Sequence, residues 1–407
     1  MRTRLAVLRA FCDPFPVESN LLLRLSSREW KHLLQWLDTS GLALYLYDRL
    51  NELEECQQLP DWMRDRLEQN CRDNAGRMRS QIEECNAIHL DFQRAHLSYA
   101  VVKGLSLWPK AVPRLELRSQ LDLDFLMAES CAREARRILE QRGYLLQAVS
   151  GRTWEFKTAS AAAPSIRDLY QSGGRRSVEL HLEGGSSGGR ALLDRTVTLN
   201  FEGICIPVLP PAELLLGHGM HLYKHVMSEF IRAAHMIEFR RHVVVCRSDE
   251  ALWSKVRSLA GDDLKMSWGL GIVTLLAERL TDNFAPRALT DWTVDRLPVA
   301  VREWVDIYGT RSVLARFPGS KLYLLAQSAL ERSGVPRKRS IGQALVPRKL
   351  PPPIATSSSP GSLLERARSS CHQLSYFVFR LRFHLVEGAR FAWEAIRWRN
   401  RFRLPSS

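Results

Sequence analysis

Two aspartates stand two residues apart inside an apolar run, and this run constrains the fold more than any other segment. Residues 118–127 read RSQLDLDFLM. Side chains alternate across a β-strand, so Asp122 and Asp124 are expected on one face of a strand. The apolar residues that alternate with them are expected to face a core: Leu121, Leu123 and Phe125. The sequence therefore predicts a half-buried strand that carries two carboxylates on its other face.

Two like charges about 7 Å apart on a rigid strand repel each other unless a cation lies between them. Mg²⁺ takes carboxylate oxygens and shares the rest of its shell with phosphates. We therefore expect Asp122 and Asp124 to bind a divalent cation. The alternative is an exposed strand face without a ligand, because a D-x-D pair alone is a weak signal.

The net charge of +14 is concentrated at the carboxyl end of the 407-residue chain. Residues 336–407 hold 14 Lys or Arg against 3 Asp or Glu, a local balance of +11, which leaves +3 for the other residues. Charge alone therefore gives no reason to treat the whole protein as a polyanion binder.

The eight cysteines show no C-x-x-C pair and no regular spacing. This pattern argues against a zinc site or a disulfide framework built on cysteine, and it fits a reducing compartment. No uncharged apolar stretch approaches the roughly 20 residues of a membrane span, and residues 1–15 do not read as a signal peptide. We expect a cytoplasmic protein, with a peripheral position at the inner membrane face as the alternative.

Apolar periodicity and composition divide the chain into five segments. Residues 1–96 form an N-terminal helical region, 97–210 a small mixed α/β core, and 211–332 a C-terminal helical region; 333–361 are a Pro/Ser-rich linker, and 362–407 are a basic, aromatic, amphipathic tail of helical character. The fold class expected is α+β, with a small mixed β-sheet between two helical regions.

Within the α/β core, the order is strand, strand, helix, strands. The helix is expected over 132–142, and Gly143 ends it because glycine adopts the left-handed conformation there readily. The run from Gly184 to Gly189 is expected to be a flexible loop. The expected strands are 98–102, the D-x-D run, 144–149, 153–158 and 177–182.

Three further features could complete a site around the two aspartates. Lys103 and Gly104 end the strand before them, where backbone amides and an ammonium could meet a phosphate. Glu179 lies on a strand that could pair beside them and supply a third carboxylate. Arg118 could neutralise phosphate or orient the loop. The simpler alternatives are that Lys103 pairs with an aspartate and that Glu179 is a surface residue.

These motifs, in this order, resemble the DNA-polymerase-β-like nucleotidyltransferase superfamily, in its largely uncharacterised bacterial branch. The resemblance covers roughly residues 20–330. The matching positions are Lys103-Gly104, Arg118-x-x-x-Asp122-x-Asp124, Gly143-Tyr144, Glu179-x-His181 and His221-x-x-Lys224-His225.

The resemblance implies a nucleotidyltransferase core, an NTP donor, and Mg²⁺ as the cofactor with Mn²⁺ as an alternative ion. By this resemblance the metal ligands and catalytic residues are Asp122, Asp124 and Glu179. The wider superfamily has Gly-Ser at the phosphate turn, whereas Leu105 follows Gly104 here and Ser106 is the nearest serine. The residues expected to bind substrate are Lys103, Gly104, Ser106, Arg118, His181, His221 and His225.

Histidines recur at helical spacing after the core. His218, His221 and His225 fall at i, i+3 and i+7 and could in principle bind a metal. The first and the last lie two turns apart, too far to share one ion comfortably. We therefore favour a structural or nucleotide-facing role. For His181, a packed or hydrogen-bonded histidine is the alternative to a ligand.

The tail mixes arginines with aromatic residues. We expect it to dock on a protein partner or on the body of the chain; an anionic membrane surface comes second and nucleic acid third.

The function expected is transfer of a nucleotidyl group from an NTP to a hydroxyl acceptor that the sequence does not identify. One alternative is a non-catalytic module on the same fold that binds a nucleotide or a partner. A membrane-associated accessory factor for polysaccharide or envelope assembly rests on the tail alone.

Overall fold

The computed structural model of the chain describes residues 1–158, 169–171, 176–184, 192–201, 203–337, 340–345 and 363–402. Most of the expected flexible loop, residues 185–189, lies outside the described residues, as does the expected linker from 346 to 361.

Helices make up most of the described chain before residue 97 and after residue 210. The second helix shows why they begin and end where they do. The hydroxyl of Ser26 accepts from the backbone N–H of Glu29, whose carboxylate accepts from Ser26 in return, and Gly41 at φ 76° ends the helix. The α-helices are α1 Arg2–Arg9, α2 Ser27–Ser40, α3 Ala43–Glu52, α4 Asp61–Arg94, α5 Ala132–Gln141, α6 Pro211–Val226, α7 Ala234–Val245, α8 Glu250–Ala260, α9 Leu264–Leu280, α10 Arg287–Thr290, α11 Val299–Trp304, α12 Thr310–Val313, α13 Tyr323–Arg332, α14 Ile341–Leu345 and α15 Leu363–Arg401.

The strands of the described chain form one seven-stranded mixed sheet in the order β3-β4-β5-β2-β1-β7-β6. At its centre, β2 pairs with β5 in parallel and with β1 antiparallel. β7 runs parallel to β1, and the remaining pairs are antiparallel. The strands are β1 Tyr99–Val102, β2 Asp122–Met127, β3 Tyr144–Ser150, β4 Thr153–Thr158, β5 Ser177–Leu182, β6 Val197–Phe201 and β7 Ile204–Val208.

The structure confirms the α+β class and the five expected strands, and Gly143 has the expected left-handed backbone, with φ 83°. Two findings differ from expectation. The hairpin of β6 and β7 was not predicted. Leu121 was expected in the core, but it precedes β2 and is half-exposed, whereas Leu123 and Phe125 are buried.

Two hydrophobic cores share the long helix α4. Its first part, with Met63 and Leu67, belongs to a core built by α1–α3 and the helices after residue 210. Its second part, with Ile82 and Phe92, packs on the sheet together with α5. The N-terminal and C-terminal helical regions therefore pack on each other, and the sheet lies against α4.

Residues from the start of the expected linker are packed. Val335 is buried in the helical core, and Ile341 and Leu345 of α14 lie against that core. Of the six prolines between residues 333 and 361, five follow α14, and the stretch up to α14 keeps apolar residues that can pack on the body.

The tail forms one helix, α15, whose last part packs on the body. Phe391, Ala395 and Trp398 join the helical core. The hydroxyl of Tyr308 donates to Glu394 at 2.9 Å. The structure therefore shows that this part of the tail docks on the body of the chain.

Among the described helices, none combines the length and the apolar character that crossing a bilayer requires.

Candidate active site

Three neighbouring strands bring Asp124 and Glu179, two of the three expected acidic residues, together with Lys103. In the parallel ladder of β2 and β5, Asp124 stands opposite Glu179. In the antiparallel ladder of β1 and β2, Val102 stands opposite Asp124, so Lys103 leaves the end of β1 beside that carboxylate. The strand placement expected for Glu179 is thus confirmed.

Four side chains form what we call the acid cluster: Lys103, Asp124, Glu179 and His181. The ammonium Nζ of Lys103 lies 2.5 Å from Asp124 Oδ1 and 3.7 Å from Glu179 Oε2. His181 Nε2 lies 2.8 Å from Asp124 Oδ1 and 3.4 Å from Glu179 Oε2. One ligand atom from each of Asp124, Glu179 and His181 can be chosen so that all three lie within 4.8 Å of one another. The spacing suits a shared cation, and Lys103 supplies one positive charge there.

In this part of the sheet, the described side chains that could share a cation are Asp124, Glu179 and His181, without Asp122, and the pKa of Asp122 is shifted in the opposite direction from that of Asp124. Burial, followed by the charges of Asp124 and Glu179, raises the pKa of Asp122 to about 6. Burial would also raise the pKa of Asp124, but the hydrogen bond from His181 and the charge of Lys103 outweigh it and lower that pKa. Burial and the neighbouring carboxylates therefore make the charged form of Asp122 less favourable than that of Asp124.

His181 holds the two ionised carboxylates in place. Its hydrogen bond lowers the pKa of Glu179. Burial opposes a charge on the imidazole, yet the hydrogen bonds to Asp124 and Glu179 raise the pKa of His181. The other ring nitrogen, Nδ1, lies 3.2 Å from the hydroxyl of Thr153. His181 is thus a hydrogen-bonded member of the cluster, which was one of the two roles considered for it.

Three of the four side chains in the acid cluster are partly exposed to solvent. The Asp124 side chain is 4% exposed, whereas those of Lys103, Glu179 and His181 are 21–27% exposed. A ligand can therefore approach these three side chains with Asp124 behind them.

Gly104 and Ser106 lie in the turn that follows Lys103 and help to position it. A Cβ on Gly104 would lie 2.2 Å from Nε2 of Gln120, and that amide donates to the carbonyl of Asp122 at 2.6 Å. The buried hydroxyl of Ser106 donates to the carbonyl of Lys103 at 2.7 Å. In this structure both residues shape the turn that carries Lys103, and the role in phosphate binding stays a prediction.

Arg118 lies in a buried ion pair. Its Nε donates to Glu238 of α7 at 2.9 Å, and a second nitrogen donates to Gln120 at 2.9 Å. The hydroxyl of Tyr45 donates to the same carboxylate at 3.1 Å. These contacts fix the loop before β2, which was the alternative considered for Arg118.

Two arginines near Asp122 were not found from the sequence. Arg77 of α4 donates to the carbonyl of Gln120 at 2.6 Å, and Arg232 donates to the hydroxyl of Ser119 at 2.8 Å. The charge of Asp122 raises the pKa of both guanidinium groups, although burial lowers each pKa overall. Neither is near Asp122 in the sequence, and no motif spacing marks them.

The three histidines expected on one helix face, His218, His221 and His225, separate into two groups with different contacts. His221 and His225 of α6 meet His235 of α7, and we call these three the histidine cluster. His218 turns instead to His242, with 3.2 Å between the two Nδ1 atoms. The charges of Lys103 and Asp124 act on His221, so the histidine cluster lies beside the acid cluster. His235 was missed because it belongs to the next helix.

Comparisons with known proteins point the same way as the motifs. A family model described as an uncharacterised nucleotidyltransferase matches residues 26–282, more than half of the chain. No curated protein matches this sequence. A solved structure of an antigenic nucleotidyltransferase-like protein from Paracoccidioides brasiliensis is similar at 12% identity over 48% of this chain and 92% of its own, with a TM-score of 0.30.

Proposed function

Because this chain belongs to the uncharacterised nucleotidyltransferase family, we propose that it is a Mg²⁺-dependent enzyme that moves a nucleotidyl group from an NTP to a hydroxyl acceptor. The observation that supports this most is the convergence of Asp124, Glu179 and Lys103 on neighbouring strands, with Lys103 and Glu179 partly exposed to solvent. A polymerase-β-like arrangement with two metal ions is part of the same proposal.

The residues present fit a divalent cation. Asp122, Asp124 and Glu179 offer the hard oxygen ligands that Mg²⁺ prefers. Burial raises the pKa of Asp122 to about 6, and the neighbouring charges of Asp124 and Glu179 add to that rise, which a divalent cation would offset. The chemistry that Mg²⁺ supplies when bound is charge neutralisation on the triphosphate and a lowered pKa of the attacking hydroxyl.

The protein's own groups would do the rest. Lys103, in contact with Asp124 and partly exposed, would donate to a phosphate oxygen that approaches the acid cluster. Glu179, whose pKa is lowered, is ionised near neutral pH and would orient the acceptor hydroxyl and help to remove its proton. His181 would keep the carboxylates of Asp124 and Glu179 aligned through its hydrogen bonds.

A transfer assay tests this proposal. The full chain is incubated with labelled NTPs, Mg²⁺ and cell extract as the source of acceptor. We expect a labelled product that is lost in Asp122→Ala/Asp124→Ala and retained in Glu129→Gln, which removes an exposed carboxylate paired with Arg152. Equal labelling by wild type and the double variant would reject the proposal.

A second candidate is a non-catalytic module that binds a nucleotide or a partner. It is favoured by the contacts of Lys103, whose ammonium is already engaged by Asp124, and by Ser106, whose hydroxyl is engaged by backbone. Calorimetry distinguishes these functions. A catalyst should bind NTP only when a divalent ion is present, a nucleotide-binding module should bind NTP without Mg²⁺, and a scaffold that only binds a partner should bind neither NTP nor Mg²⁺.

A further inference from the structure

Three imidazoles from two helices meet beside the acid cluster. Two of them, His221 and His225, stand four residues apart on α6, so they lie on one face of the helix. The third, His235, belongs to the first turn of α7. Ring centroids are 4.5 Å apart for His221 and His225, 5.0 Å for His225 and His235, and 5.7 Å for His221 and His235.

We propose that His221, His225 and His235 form a three-histidine site for a transition-metal cation of the Zn²⁺ class. One ring nitrogen from each residue can be chosen so that all three lie within 4.8 Å of one another. Imidazole nitrogen suits Zn²⁺, Cu²⁺ or Ni²⁺, whereas Mg²⁺ takes oxygen ligands. The site is therefore chemically distinct from the carboxylates of the acid cluster and does not depend on the proposed transferase activity.

The spacing of the first two nitrogens is close to that of a tetrahedral centre. The Nε2 atoms of His221 and His225 are 3.1 Å apart. Two nitrogens at the usual zinc distance in tetrahedral geometry are about 3.3 Å apart. Only a small movement would place an ion between these two rings. Two histidines at i and i+4 on a helix are a recurrent zinc-binding pair.

A hydrogen bond to the backbone fixes the tautomer and the orientation of the His225 ring in a form that can bind a metal. Its Nδ1 lies 3.1 Å from the carbonyl of Phe230, which can only accept a hydrogen bond, so Nδ1 carries the proton. The neutral ring then has its lone pair on Nε2, the atom that faces His221. Metal-binding histidines usually have this kind of second hydrogen bond, because it fixes the tautomer and the orientation of the ring.

His235 has a nitrogen that its packing leaves unsatisfied. The residue is buried, and within the described part of the chain its Nδ1 has no hydrogen-bond partner. A buried polar atom without a partner is costly, and most such atoms have a ligand, a water molecule or a functional role. A third metal ligand from this ring would remove that cost.

An ion in this position would join α6 to α7 across the segment between them. That segment carries Arg232, which donates to Ser119 in the loop before β2. The metal would therefore stabilise the helix pair that supports the loop leading to Asp122. The alternative is a set of neutral, packed histidines that binds no ion.

Calorimetry of the metal-stripped full chain with ZnCl₂ alone, without nucleotide, tests the proposal. We expect one Zn²⁺ per chain with submicromolar affinity, and visible ligand-field bands of a tetrahedral centre when Co²⁺ replaces Zn²⁺. His225→Gln and His235→Gln should each weaken Zn²⁺ binding at least tenfold. His235→Cys should retain binding because a thiolate is also a zinc ligand.

Two controls assign the site. His242→Gln changes a buried histidine of the same helix that lies outside the cluster and should bind Zn²⁺ like wild type. Asp124→Asn alters the acid cluster and should also bind like wild type, so a failure of the transferase proposal leaves this result unaffected. Wild-type affinity in both glutamine variants, loss of binding in Asp124→Asn, or no Zn²⁺ binding by wild type would overturn the proposal. His225 is partly exposed, so its variant is expected to fold.

Discussion

At the level of single residues, Lys103 holds the cationic position between the carboxylates of Asp124 and Glu179. Its backbone has φ 55°, which is uncommon for a residue with a side chain, and the turn below it is fixed by Gly104 and Ser106. A ligand cation and this ammonium therefore compete for the same oxygens. The competition can be measured.

Lys103→Met removes the ammonium and leaves the buried carboxylate of Asp124 with His181 as its remaining hydrogen-bond donor. In Mg²⁺-free buffer near neutral pH, we expect the free energy of unfolding to fall by about 2 kcal/mol. Mg²⁺ should raise the Tm of this variant more than that of wild type. Lys157→Met, which removes a partly exposed partner of Glu155, should change stability by at most about 0.5 kcal/mol. Equal responses to Mg²⁺ in wild type and Lys103→Met would contradict this account.

The buried pair of His218 and His242 makes stability depend on pH. Burial lowers the pKa of His218 to about 4 and that of His242 to about 3. Since the unfolded value is near 6.5, the unfolded chain binds these protons first. The stability from neutral burial is thus complete above pH 6.5 and is lost as pH falls towards 4.

His242→Phe removes one of these two titrations. We expect the loss in unfolding free energy between pH 6.5 and pH 4.5, measured by urea denaturation, to be about 2 kcal/mol smaller in the variant than in wild type. Parallel pH profiles for the two proteins would show that His242 is not buried in its neutral form.

At the level of elements, the central strands were predictable and the edge hairpin was not. Alternation of apolar and polar residues marks β2, and the same signal on 177–182 allowed Glu179 to be placed beside Asp124. In β7 the run Ile204–Val208 contains Pro207, and a proline normally argues against a strand inside a sheet. Here Pro207 stands opposite Thr198 of β6, and β7 meets β1 at Val208.

The contacts of the site were less predictable than its strands. The sequence supplies the residue types at Arg118 and Gly104, but their partners, Glu238 and Gln120, are set by packing between distant elements. The same limit applies to His235. It belongs to a different helix from His221, so its contact with His221 depends on how α6 and α7 pack. Local periodicity gives faces and elements, whereas partner choice depends on how those elements pack.

The helix α15 is held by a few buried side chains. Trp398 is 2% exposed, and its ring lies 5.8 Å from that of Tyr308. We expect Trp398→Ala to lower the free energy of unfolding by about 3 kcal/mol, because it leaves a cavity in the helical core. Trp393→Ala, on the same helix at 66% exposure, should change it by at most about 0.5 kcal/mol. Chemical denaturation of both variants is the measurement, and similar losses would contradict the docking described for α15.

The exposed face of α15 is the surface on which a protein partner or an anionic membrane would bind the tail. Its exposed apolar residues include Val378, Phe379, Leu381 and Leu385, with Arg382 exposed among them. An acidic partner or an anionic membrane surface suits this mixture. Co-sedimentation with anionic vesicles tests the membrane alternative, which requires binding that Phe379→Ser/Leu385→Ser weakens and that neutral vesicles do not support. Equal binding by wild type and this variant would exclude the exposed face as the contact.

At the level of the whole molecule, α4 connects a helical core to the sheet whose strands carry the acid cluster. Asn74, between the two parts of α4, donates to the carbonyl of Glu116 at 2.6 Å and to that of Arg118 at 3.2 Å. The loop before β2 is thus tied to α4, and through Arg118 to α7 as well. The position of Asp122 therefore depends on both cores, although its chemistry is that of the sheet.

The most direct measurement of the proposed activity compares two labels on the same NTP in the presence of Mg²⁺. Nucleotidyl transfer keeps the α-phosphate on the acceptor and releases the γ-phosphate in pyrophosphate, whereas phosphoryl transfer would place the γ-phosphate on the acceptor. We predict an acceptor that carries the α label alone with wild type, and no label with Asp124→Asn. Transfer of the γ label, or an undiminished α label with Asp124→Asn, would contradict the account.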